Sequence, residues 1–199
     1  MTASWEAKAE KARAILQNSL KPEWLLSSEE LPPLTQLDVS TFIDTCGRLS
    51  PRELEITNST GAHLTQQMHE GKLTAVETVM AFLKRAHIAH QLVNFATEFM
   101  VDDALAAAAE LDEYLRTTGK LKGPLHGIPI SVKEHVGLKD RVTHTGYVAW
   151  VDNVTAEDAL IIRLLREAGA VFHVRTNEPQ TIMVSIRYPC WSLQIHEQV

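Results

Sequence analysis

Between residues 120 and 174 the hydrophobic period of the chain changes twice, and this constrains the fold more than any other feature. In GPLHGIPISVKEHVG (123–137) Ile128, Ile130 and Val132 fall at alternate positions, as on one face of a strand, with Pro129, Ser131 and Lys133 on the other. Thr155-Ala156-Glu157-Asp158 then has the form of a helix cap, and Leu160, Ile161, Leu164, Leu165 and Ala168 recur at helical spacing as a core-facing set. Gly169 ends that helix, and AVFHV (170–174) reads as a short buried strand. Strand 128–133, helix 156–168 and strand 170–174 make one right-handed βαβ unit with parallel strands, hence an α/β fold. Strand 170–174 is expected to lie at an open, apolar sheet edge, which invites self-association.

The chain before this unit reads as mostly helical. Trp5, Ala9, Ala12 and Leu16 share a helix face, and Pro22, Pro32 and Pro33 break the segment that follows. Ser50-Pro51-Arg52-Glu53 is a capping box with proline at the first helical position. Thr74 opens a helix lined by Val76, Met80 and Leu83, with Gly71 closing the one before it. A third helix, rich in alanine, runs from about Asp102 to Gly119. The expectation is a single incomplete domain: a helical part over 1–119, the start of an α/β core over 120–183, and a divergent tail over 184–199.

Composition excludes several function classes. At 199 residues, with 45% hydrophobic and 22% charged content, the chain is an ordinary globular one. A net charge of −6 with scattered basic residues argues against a nucleic-acid partner. Cys46 and Cys190 form neither a metal-ligand spacing nor a disulfide framework. No signal-peptide pattern opens the chain and no apolar run is long enough to span a membrane, so the expected address is cytoplasmic. His126, His135 and His144 recur every nine residues without converging in any regular element, and His87 and His90 lack a carboxylate partner. All nine histidines therefore read as structural or surface residues.

Lys133 is the residue that asks for an explanation. From the pattern alone it is a strand-end lysine whose stem lies on apolar surface and whose head reaches water. Glu134 would then be a solvated partner charge and Ser131 a polar wall residue.

The blocks GPLHGIPISVKEH, DRVTHTGYVAW and EDALIIRLLREAGAVFHVRTNEPQTIM, preceded by ITNSTGAHLTQQMHEGKLTAVETVMAFLKRA, together resemble the amidase signature family and within it the fungal acetamidase-like branch. The resemblance runs from about Leu49 to Met183 and implies the amino-terminal part of that family's sheet flanked by helices. It also implies hydrolysis of small carboxylic amides through a Ser–cis-Ser–Lys triad, with no metal or organic cofactor. Lys133 falls in the triad's lysine position. A lysine acts as a base only when neutral, so its ordinary pKa of about 10.4 must fall, and burial among apolar neighbours is the means. Neutral Lys133 would accept a proton from a bridging serine, which in turn activates the nucleophile.

The chain departs from the family pattern after Met183. No GGSSGG loop follows TNEPQTIM, and the last of the nine glycines is Gly169. Such a loop supplies the bridging serine and the backbone N–H groups that hold an oxyanion. Ser185-Ile186-Arg187-Tyr188-Pro189 is similar to the block that carries the family's nucleophilic serine, with Met183 and Val184 in place of two glycines. Ser185 is thus either a remnant nucleophile or a chance match on a tail. The expectation is an amidase-like chain that is itself inactive, the alternative being a non-catalytic, partner-binding fragment.

Overall fold

A computed structural model describes residues 4–182. Seven helices and three strands follow one another: α1 (Trp5–Ser19), α2 (Phe42–Thr45), α3 (Pro51–Thr57), α4 (Gly61–His69), α5 (Ala75–Val93), β1 (Ala96–Phe99), α6 (Val101–Thr118), β2 (Pro129–Lys133), α7 (Leu160–Glu167) and β3 (Val171–Thr176).

Most helix ends are set by local chemistry. Ser50 and Glu53 close a reciprocal capping box on α3. Thr74 accepts from Glu77 N–H at 3.0 Å to start α5, and Asp112 on α6 takes the next free donors there, Ala75 N–H at 2.7 Å and Val76 N–H at 3.1 Å. One aspartate therefore caps a neighbouring helix and ties α6 to α5. Gly119 stops α6 in the left-handed conformation that glycine takes most easily.

The sheet has strand order β1-β3-β2, with β2 parallel and β1 antiparallel to β3. The parallel βαβ pairing expected from the sequence is present, but strand 170–174 is not an edge. It belongs to the central strand of the described residues, and the outer edges are β1 and β2. The reason is β1, four residues between two helices, too short to show an alternating pattern and set within the part that reads as helical.

Helices α5 and α6 cover one face of the sheet. Val79, Leu83, Ala104, Ala108 and Leu111 pack there with Val171 and Val174, and the alanines let α6 lie close. On the other face Met100, Val132, Leu138, Ile162 and Phe172 form a smaller core. Ile128 does not share a face with Ile130 and Val132. It precedes the strand, after the turn at Gly127, and packs against the α5–α6 core, whereas the other two join the smaller one.

Helix α7 differs most from expectation. It begins at Leu160 behind Ala159 with no side-chain cap, because the Asp158 carboxylate is taken by Lys139 N–H at 2.8 Å and by Arg166 at 3.2 Å. Of its apolar residues Ile162 is buried and Leu165 half-buried, while Leu160, Ile161 and Leu164 are exposed. The helix carries two apolar stripes, and only one meets the sheet. After α7, Gly169 (φ +93°) brings the chain so near His126 that a Cβ would stand 2.7 Å from its Cα.

Candidate active site

Lys133 closes β2 at the carboxyl end of the parallel strand pair, the end at which open α/β sheets place their sites. It is exposed, as is Ser131 two residues before it, so the apolar enclosure expected around the ammonium is not formed by the described residues. The Nζ donates to the Asn177 carbonyl at 3.1 Å, and no hydrogen bond joins it to Ser131 among the described residues. Asn177 is itself well held. Its N–H donates to Phe95 O at 2.8 Å and its side-chain amide to Asn94 O at 3.0 Å.

Behind the lysine lies a buried polar group. Glu134, expected as a solvated charge, is only 2% exposed, a correction with a clear cause. Its carboxylate accepts from His144 N–H at 2.6 Å and Thr145 N–H at 2.8 Å, so backbone donors replace water. Arg175, buried on β3, reaches the carboxylates of Glu98 at 3.6 Å and Glu134 at 3.9 Å, one from β1 and one just past β2. Its guanidinium also donates to the carbonyls of Glu134 and Val142. Burial pushes the Arg175 pKa down and its two carboxylate neighbours oppose that shift. Arg141 adds ion pairs to Glu98 and Asp103. The Glu178 carboxyl, nearly inaccessible, is pushed above the usual carboxylate range by burial and then by facing Glu134.

Two of the histidines lie beside these carboxylates. His135 Nδ1 is 3.6 Å from Glu178, and His144 Nε2 is 3.7 Å from Glu134, where the loop holding His144 folds back onto the Glu134 carboxylate. His126 sits elsewhere, its Nδ1 accepting from Lys122 N–H at 3.1 Å. His87, His90 and His173 are buried among aromatic rings, with His87 stacked on Phe99 at 4.0 Å and His173 edge-on to Phe82 at 6.3 Å. Burial lowers the pKa of His90 and of His173 to about 4, so both pack as neutral rings near pH 7. Ser185 lies outside the described residues.

The arrangement supplies a basic side chain on an exposed strand end with a braced polar group behind it. Residues 77–187 match the family described as Amidase, a span that includes Lys133, the β2–β3 pair and Ser185. The chain belongs to the amidase family. It is 43% identical to an acetamidase of Aspergillus oryzae over 92% of its own length and 33% of that protein's, and 44% identical to an acetamidase of Emericella nidulans over the same shares. Among solved structures, a fatty acid amide hydrolase aligns with 90% of the chain at 36% identity and a TM-score of 0.85, using 32% of its own chain. This amidase chain thus spans about a third of the length of the curated relatives it matches. No helix of its described residues is long and apolar enough to cross a membrane.

Sequence reasoning missed Glu134, Arg175 and Asn177. Residue type hid the first two, since charged residues are almost never fully buried unless paired. Their pairing became visible only once the strands were in register.

Proposed function

We propose that this amidase chain contributes the lysine base of a hydrolase acting on the carbon–nitrogen bond of small carboxylic amides. As the base, Lys133 takes a proton from a bridging serine, and that serine takes one from the nucleophilic serine, which attacks the amide carbonyl. The amine leaves with a returned proton, and water then releases the acid from the acyl-serine. The chemistry needs no metal or organic cofactor. The observation that carries this reading is Lys133 at the carboxyl end of β2, inside the segment that matches the family. Residues 1–199 include no glycine–serine loop, so we assign them no turnover of their own. Ser185 is the candidate nucleophile.

A second reading, a non-catalytic fragment that binds a partner, draws on the exposed Leu160, Ile161 and Leu164 of α7.

Reaction with a fluorophosphonate probe tests the first reading, on the 199-residue chain and on the same chain joined to the rest of a relative, where the first reading alone requires labelling that depends on Lys133. For the 199-residue chain the expected result is no labelling at Ser185, since no bridging serine or oxyanion loop activates it. Labelling of that chain that falls on Lys133→Ala would show instead that the lysine and Ser185 already work together, and the assignment of no turnover would be wrong.

A further inference from the structure

Glu134, the residue that follows Lys133, is buried, and its surroundings assign it a task. Three segments meet around Glu134, whose carboxylate also faces the Glu178 carboxyl of the third. The first is the end of β2, where Glu134 N–H donates to Thr176 O at 2.9 Å and the Glu134 carbonyl accepts from Arg175. The second is the loop 143–146, whose His144 and Thr145 amides both point at the carboxylate. Thr145 is held there at φ +51°, a left-handed conformation that a threonine rarely adopts unless something fixes it. The third is the segment 177–180. Gly146 comes so close to it that a Cβ would stand 2.9 Å from the Gln180 Cα. That same segment supplies the Asn177 carbonyl that receives the Lys133 ammonium.

We infer that Glu134 is the positioning residue for Lys133. Its carboxylate clamps the 143–146 loop against the 177–180 segment and so fixes the carbonyl on which the lysine rests. The inference deepens the reading of Lys133 as the base. It concerns geometry, however, and its test uses no turnover.

The argument against a purely packing role is the form of the contacts. A carboxylate that accepts two backbone amides, one on each oxygen, fixes a loop in both direction and register, which an apolar side chain could not do. The placement of the two side chains also matters. Lys133 is exposed and Glu134, the next residue, is buried, so Glu134 acts from the buried side while the lysine head lies on the exposed one.

The experiment compares the wild-type chain with Glu134→Gln and Glu134→Asp by amine acylation, read by mass spectrometry as the ratio of Lys133 to Lys120 modification. Lys120 lies beyond the end of α6 and serves as the internal reference. Gln keeps the shape and turns one acceptor into a donor, and Asp withdraws the charge by one methylene. Both are expected to raise the ratio about fivefold, the size of one lost hydrogen bond. General loss of structure would raise both lysines together and leave the ratio near its starting value, which is the result a merely structural Glu134 would give. A ratio unchanged in either folded variant overturns the clamp, yet leaves the amide-hydrolase reading standing. If neither variant folds, amide exchange in the wild-type chain decides. The His144 and Thr145 amides must then exchange as slowly as the Glu134 amide in the sheet, and exchange at the rate of an open loop overturns the inference.

Discussion

Helices α5 and α7 are both amphipathic, yet the structure treats them differently. Along α5 the apolar positions Val79 and Leu83 are fully buried against α6 and the sheet. Along α7, Leu160 is 63% and Leu164 51% exposed, and only the stripe through Ile162 meets the core. The difference teaches that periodicity marks which faces of a helix can be buried, while the extent of the surrounding fold decides which faces are. The described residues surround α5 on its apolar side and leave the outer stripe of α7 uncovered.

Acid should test the finished side first, with the largest effect. His90 and His173 sit between α5 and the sheet with pKa values of about 4, against an unfolded value of about 6.5. His87 shifts in the same direction. Between pH 6.5 and about 4 the unfolded chain therefore binds protons that the folded chain refuses. Stability is complete above 6.5 and falls as the pH drops through that window, by several kcal/mol at its end. Glu178, whose raised pKa favours the protonated folded form, offsets part of the loss. Denaturant titrations at pH 7.5 and pH 4.5 check this, and equal midpoints would break the comparison.

Truncation of the core comes next. Leu83→Ala on α5 should cost about 3 kcal/mol, as for a fully buried leucine. Loss of the α3 capping box by Ser50→Ala should cost about 1 kcal/mol, because Glu53 N–H then lacks its acceptor. The smallest effect is expected at Leu164→Gln on α7, within about 0.5 kcal/mol in this chain. All three are read from chemical denaturation. The comparison is sharpened by joining the chain to the remaining two thirds of the Aspergillus oryzae acetamidase. If that part of the fold covers the outer stripe of α7, Leu164→Gln should then cost about 2 kcal/mol.

What could be read in the sequence follows the same division. Caps at Ser50 and Thr74 and the stop at Gly119 depend on a few neighbouring residues, and each stands where its residues indicate. The parallel pairing of β2 and β3 was legible because a crossover helix leaves few other arrangements. Strand β1 was not, since four residues show no period, and its absence from the reading misplaced the open edge. At the site, Lys133 was legible through its resemblance to a family block. Its brace was not, because the burial of Glu134 and Arg175 depends on contacts across 10 to 41 residues of sequence. Side-chain type alone assigns both residues to the surface.

The most direct measurement is acetamide hydrolysis by the chain joined to the remaining two thirds of the Aspergillus oryzae acetamidase, with and without Lys133→Ala. Lys133 is exposed and accounts for one hydrogen bond, so its removal should leave the fold intact by circular dichroism. A general base of this kind contributes roughly 10²–10⁴ in rate, and kcat should fall by that factor. Turnover that survives Lys133→Ala within about threefold, in a protein that is folded and active before the change, would contradict the assignment of this lysine as the base.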